Sequence, residues 1–284
     1  MKGGYFLLNG QFYRESDSIF GLSDLAGRVE GFREAFRAES NEILFQESVS
    51  RHILATAETT GTDLSGLIDP DGRLLRKDVS RLLNKNKLYL SAKIDLQIYS
   101  ADHKINILLQ ASELERDFYP VQDPGSIISF YRHHLLDITP ASAYSTAGLF
   151  VRQSAARAAK ELNQPTIILL DREGNACESL HGSFAILNDK EVTFLSENSG
   201  GYRCAITDEV IRSVQKAGYQ TIEKERISTE ELLEAEELFL FDTCHGIQKV
   251  LGLEDRRYFS TKTQIIAEQL SGLARKDRSE RDKI

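Results

Sequence analysis

Two adjacent pairs are the first residues in this sequence whose types invite chemistry. His133-His134 offers two imidazoles, but neighbours on a strand point to opposite faces, so one metal ion cannot take both. Cys244-His245 resembles a thiolate beside its base. Sequence neighbours seldom reach the geometry of proton transfer, however, and a small buried Cys after a core strand is the plainer reading. Ser199-Gly200-Gly201 has the composition of an anion-cradling loop, although Gly-rich loops are more often simple turns. None of these features by itself defines a reaction.

The elements that must position them follow from periodicity and turn chemistry. Tyr5 to Leu8 and Gln11 to Arg14 flank Asn9-Gly10, a two-residue hairpin signal. Val29 to Ala38 sets Phe32 and Phe36 on one face of a strand, and Ser40-Asn41 turns the chain into Glu42 to Phe45. From Gln46 to about Thr59 the spacing of Val49, Ile53 and Ala57 changes to the i, i+4 repeat of a helix. Arg73 to Asn86 reads as a second helix, and Lys87 to Tyr99 and Lys104 to Gln110 as an antiparallel pair. Arg116 to Gly125 holds Pro120, Pro124 and Gly125 and breaks both periodicities, which marks a linker.

Beyond it the spacing predicts a strand over Ser126 to Leu136, an Ala-rich helix over Gly148 to Leu162 and a buried strand over Thr166 to Asp171. Strands over Glu178 to Leu187 and Glu191 to Leu195 follow, then a helix from Ile206 or Thr207 to Gly218 and a short one from Ser228 to Glu234. A strand over Leu238 to Asp242, a last helix over Thr261 to Leu273 and a frayed charged tail from Ala274 complete the reading. The fold class is α+β in two domains: a small one over residues 1–118, a linker over 119–125, and a larger, barrel-like one over 126–284.

Composition bounds the partners. The chain of 284 residues can bury a real core, and its 41% hydrophobic and 27% charged residues lie near globular averages. Lys and Arg total 35 against 43 Asp and Glu, a formal charge of −8, which gives no field to hold nucleic acid. No stretch of about 18 apolar residues is present and the N-terminal apolar run is short, so neither a membrane span nor an export signal is expected. Cys177, Cys204 and Cys244 lack paired spacing, and reduced thiols in a cytoplasm are the simplest reading.

The order of elements, together with Leu169-Leu170-Asp171, Gly174 and Glu178, resembles the class IV aminotransferases, the fold-type IV pyridoxal-phosphate (PLP) enzymes. That group includes branched-chain and D-amino acid aminotransferases and aminodeoxychorismate lyase. Ala155 and Ala159 fall where the family has small helix residues, and Ser199-Gly200 and Thr243-Cys244-His245-Gly246-Ile247 align with its phosphate-side loops. The resemblance spans about residue 5 to 250. It implies a two-domain fold-type IV architecture, a homodimer, and PLP as cofactor. It also implies roles: Glu178 accepting the pyridine N–H, Arg51 and Thr243 binding phosphate, and Ser183 and Thr207 standing at further cofactor-binding positions.

The departures are as informative. Counting back without a gap from Asp171, the position of the family's Schiff-base lysine holds Ser145, and no lysine lies between Lys104 and Lys160. A serine hydroxyl cannot form an imine. The family's Gly-Ile-Thr-Arg becomes Cys204-Ala205-Ile206-Thr207, followed by Asp208 and Glu209, two carboxylates that would repel a phosphate at the helix N-terminus. The usual Asn five residues after the Glu is Ser183, and Tyr-Gly-Asp-Gly is replaced by Arg28-Val29-Glu30-Gly31. Three functions remain: a divergent aminotransferase or lyase acting on an amino acid or amino-chorismate, a pseudoenzyme binding a small anion or a protein partner, and an enzyme with new chemistry at His181, Cys244 or His245.

Overall fold

The computed structural model describes residues 4–17, 31–101, 104–114, 118–119, 125–144 and 149–281. Its contacts divide the chain into two compact units, Met1–Phe118 with Asp277–Ile284, and Tyr119–Lys276. Tyr119, expected in a linker, is a buried member of the second unit, and the end of the chain groups with the first.

In the first unit β1 (Tyr5–Leu8) and β2 (Gln11–Arg14) form the hairpin that Asn9-Gly10 predicts, with φ of 49° and 77° at the two turn residues. Both angles lie where this turn demands and where Asn and Gly go most readily. Strands β3 (Gly31–Glu39), β4 (Glu42–Ile43), β5 (Ser91–Ala101) and β6 (Lys104–Glu113) complete a sheet of order β2-β1-β6-β5-β3-β4. Helix α1 (Gln46–Thr59) buries Val49, Ile53 and Ala57, and α2 (Arg73–Asn86) buries Leu75, Val79, Leu82 and Leu83. Both helices keep their expected bounds because their apolar stripes are continuous and unambiguous.

The second unit holds two sheets. The stretch read as one strand over Ser126 to Leu136 is two: β7 (Ser126–Ile128) and β8 (Phe130–Leu136). The break falls at Ser129, whose carbonyl accepts from the Ile168 amide, so β8 joins β9 (Ile168–Asp171) while β7 goes elsewhere. Glu178 to Leu187 is likewise divided, into β10 (Ala176–Ser179) and β11 (Ser183–Asn188), which lie in different sheets. Gly182 turns that corner: a Cβ there would come within 2.3 Å of the Phe241 carbonyl oxygen. Apolar character runs unbroken through the corner, which is why the sequence hides it.

The three-stranded sheet runs β10-β9-β8, with α3 (Leu149–Glu161) packed on β8. The larger sheet contains β11, β12 (Glu191–Leu195), β13 (Gln220–Lys224), β14 (Glu237–Asp242), β15 (Gly246–Leu253) and β16 (Arg256–Arg257), with β7 parallel to β15. Strands β13, β15 and β16 were not expected. Gln220–Lys224 carries a single apolar residue and gains its strand form by parallel pairing with β12, while glycines interrupt the pattern of β15. Helix α4 (Thr207–Lys216) and α5 (Thr229–Glu234) follow the predicted positions, and Ser228 with Glu231 caps α5 reciprocally. The last helix, α6, runs Thr261–Arg281 rather than stopping at Leu273. Its continuation is held by a fully buried Ala274 and by Asp277, whose Oδ2 accepts from the Phe45 amide at 3.0 Å.

Fully buried β14 carries Leu240 into a core with Ile168, Leu170, Phe184 and Leu238. Leu240→Ala is expected to lower the unfolding free energy by about 2–5 kcal/mol, measured by urea denaturation with an unchanged m-value. A loss under about 1 kcal/mol would mean that this layer is not close-packed.

Candidate functional site

The Asp171-Gly174-Glu178 block is built by a tight turn. Asp171 Oδ1 accepts the amides of Glu173 and Asn175, at 2.9 and 2.8 Å, and Oδ2 accepts the Asn175 side-chain amide at 3.0 Å. With Gly174 at φ 85°, the chain reverses and β10 pairs back on β9. A bulge between Ala176 and Glu178 disturbs the alternation of faces, and all four β10 residues are buried. Glu178 is therefore not a solvated strand charge: its side chain is 2% exposed.

A buried carboxylate needs a partner, and Arg152 supplies it. This residue of α3 donates from Nη2 to Glu178 Oε2 at 2.9 Å, with its guanidinium 5.2 Å from the Tyr202 ring centroid. The pairing is one-pronged. Glu178 Oε1 and Arg152 Nε are both buried without a hydrogen-bond partner among the described residues. Sequence reasoning missed Arg152, since nothing in the Ala-rich helix distinguishes one charge from its neighbours.

Near this pair, Ser183 and Thr207 come together around one loop. Ser183 Oγ donates to the Tyr202 carbonyl at 2.6 Å and accepts from the Cys204 amide at 3.3 Å. Thr207 turns both its hydroxyl and its amide onto the Cys204 carbonyl, at 2.7 and 3.0 Å. The hydroxyls of Ser183 and Thr207 and the amides of Cys204 and Thr207 therefore point to protein acceptors. Asp208 stands in the first turn of α4 as expected and pairs with Arg203 at 3.0 Å, which also reaches Glu223 at 3.3 Å. A small recess beside the loop is lined by Ser183, Tyr202, Arg203, Thr207, Phe194 and Phe241.

Thr243 is buried just after β14, and its carbonyl accepts the Tyr119 hydroxyl at 2.9 Å. Beside it, Asp242 gathers the amides of Cys244 and His245 at 2.7 and 2.8 Å and the Gln248 side chain at 2.5 Å. His245 Nδ1 lies 3.1 Å from both Asp242 oxygens. The i, i+3 spacing of Asp242 and His245 suits this contact, and the turn after β14 brings the two side chains together.

The remaining candidates are distributed. Arg51 lies on α1 in the first unit, whereas Glu178, Ser183, Thr207 and Thr243 belong to the second. Ser145, together with Arg28, Val29 and Glu30, lies outside the described residues. His133 and His134 are exposed, and both rings approach Tyr131, at 5.7 and 6.2 Å between centroids, because pairing with β9 is irregular between Tyr131 and Leu136. His181 is exposed on the corner between β10 and β11. In Ser199-Gly200-Gly201, a Cβ on Gly201 would approach the Cys177 carbonyl oxygen to 2.4 Å, so this glycine serves close packing against β10. Burial drives the Cys204 thiol up to about 12 and raises that of Cys177 as well, which suits inert core cysteines. Among the described residues no cluster of three or more His, Cys, Asp or Glu is arranged to hold a metal, and no helix is long and apolar enough to cross a membrane.

The chain belongs to the class IV aminotransferase family, whose pattern matches residues 34–253. No curated protein sequence matches it. Solved structures with the same fold include a branched-chain aminotransferase from Thermoproteus uzoniensis with norvaline, at 18% identity and a TM-score of 0.81, covering 96% of each chain. A hypothetical aminotransferase from Mycobacterium tuberculosis in its PLP-bound form, at 14% identity and 0.80, covers 97% of this chain and 100% of its own. The branched-chain amino acid aminotransferase of Escherichia coli, at 17% and 0.77, covers 93% and 92%. The fold is thus that of the fold-type IV aminotransferases, as the sequence resemblance implies.

Burial is the largest influence on Glu178 and pushes its carboxyl up to about 7, against smaller downward pulls from the Arg152 guanidinium and the Tyr202 backbone. Because the folded-state value lies above the unfolded one, the folded protein binds the proton more tightly between the two. The associated stabilisation is complete below the ordinary glutamate range and is lost as pH rises to about 7. Carbon-13 NMR of labelled protein should show a Glu178 carboxyl titrating near 7. Relative to Glu178→Gln, which cannot titrate, wild type should lose about 3 kcal/mol of stability across that window. A midpoint in the ordinary carboxylate range would contradict this.

Proposed function

We propose that this chain is a class IV aminotransferase-family protein that binds a small molecule non-covalently in its second unit and performs no lysine-based transamination. The observation that carries this reading is the buried Arg152–Glu178 ion pair at 2.9 Å. In the family a carboxylate at this position faces the cofactor ring; here it is matched by a protein cation. The lack of any lysine from residue 105 to 159 removes the amine an internal imine needs. The hydroxyl and amide of Thr207, both turned onto the Cys204 carbonyl, are not directed at a phosphate, and the nearby Arg203 is engaged by Asp208 and Glu223. These residues do not fit PLP held as the family holds it.

One observation favours a second reading, a divergent aminotransferase or lyase acting on an amino acid or amino-chorismate with PLP bound without an imine. Glu178 Oε1 is buried without a hydrogen-bond partner among the described residues, which suits an acceptor for a ring N–H.

Adding excess PLP to purified wild type should produce no imine absorbance band, no lysine adduct after borohydride reduction and no turnover of common amino acids. A borohydride-fixed lysine adduct would overturn the proposal. PLP retained through desalting, without an adduct, would favour the second reading. Ser145→Lys tests the same point from the other side, and is expected to create the imine band only if the rest of the pocket accepts the cofactor.

A further inference from the structure

The pairing between α3 and β10 has a consequence for what the site can accept. Arg152 and Glu178 are 16% and 2% exposed at their side chains, so the attraction between them is little screened by water. A lone buried carboxylate is an attractive counter-ion for a protonated pyridine ring. Once an arginine holds one of its oxygens, the site is already neutral, and a second cation brought to the other oxygen meets the guanidinium at close range. What the pair still offers is a matched set, Arg152 Nε as donor and Glu178 Oε1 as acceptor, neither with a hydrogen-bond partner among the described residues. Both are buried, and both belong to groups joined through a single hydrogen bond. The guanidinium lies over the Tyr202 ring, 5.2 Å from its centroid, within cation–π range.

We propose that Arg152 is a specificity-determining residue: by pairing with Glu178 it turns a counter-ion for protonated ring nitrogen into half of a neutral donor–acceptor pair. The site then prefers a ligand edge with a neutral N–H beside a carbonyl, as in a lactam or carboxamide, and rejects a pyridinium. The proposal rests on the reading that Glu178 stands at a ligand site, and it concerns charge at that site rather than imine formation.

Pyridoxamine 5′-phosphate is the suitable probe, because it carries its own amine and needs no lysine. Its 1-deaza analogue keeps the shape and loses the ring nitrogen. By calorimetry, wild type is expected to bind the two within threefold of each other. Arg152→Gln should tighten pyridoxamine 5′-phosphate at least tenfold and leave the analogue unchanged, and adding Glu178→Gln should remove the gain. In NMR titrations, 2-pyridone should bind wild type and weaken at least tenfold in either single variant. A wild-type preference of tenfold or more for pyridoxamine 5′-phosphate over its analogue would overturn the proposal. So would failure of folded Arg152→Gln, verified by near-ultraviolet circular dichroism, to gain affinity, or failure of 2-pyridone to bind wild type. Should Arg152→Gln not fold, the two wild-type comparisons decide alone. A lysine adduct with PLP would defeat the non-covalent reading above while leaving these ratios untouched.

Discussion

A carboxylate taken out of water has to be matched, and in this chain that requirement links a helix to a strand. Glu178 is buried because the bulge in β10 leaves it no solvent-facing side, and the cation that answers it comes from α3, 26 residues earlier. The position of α3 on β8 thus has an electrostatic as well as an apolar component. Removing one partner of such a pair leaves an uncompensated buried charge, which costs far more than the pair contributes when intact. The one-pronged geometry makes the balance closer still. An arginine that could bind a carboxylate through two nitrogens uses one, and the unused donor and acceptor remain in the interior.

Around this pair the backbone approaches itself closely enough to leave little freedom. Gly182 lies against the Phe241 carbonyl where β10 gives way to β11, Gly201 against the Cys177 carbonyl, and Gly246, at φ 69°, against the Tyr119 ring. Each contact ties a strand end near the candidate residues to a neighbouring element. Tyr119 then closes the arrangement by donating to the Thr243 carbonyl. Side chains at 178, 183 and 243 are consequently set by backbone contacts that any β-carbon would disturb.

How much of this was legible depended on how local its cause was. The Asn9-Gly10 hairpin, the stripes of α1 and α2 and the Asp171-to-Glu178 turn each depend on residues a few positions apart, and periodicity or turn chemistry exposes them. The division of Glu178 to Leu187 between two sheets was hidden, because the apolar run crosses the corner and only the tertiary approach at Gly182 reveals it. Arg152 was hidden for the same reason. Its meaning lies in a contact across 26 residues, and an arginine on an exposed helix face has the same sequence signature as one reaching inward. The Asp242–His245 contact was readable in principle, being three residues apart, but was outweighed by the more conspicuous Cys-His pair.

The same distinction separates what a fold requires from what a site requires. A core tolerates substitution as long as volume and pattern are kept, so chains at 14–18% identity still superpose over almost their whole lengths. A site depends instead on single groups. An amine cannot be averaged over neighbours, and a threonine donor turned onto Cys204 is not available to a phosphate. Glu178 sits between these regimes: the fold determines where it is, through the turn at Asp171 and the bulge in β10, whereas its charge is matched by a single side chain, Arg152. Replacing one member of this pair would alter the charge buried there without disturbing a strand, and the constraint on such a change is the cost of burying either charge alone.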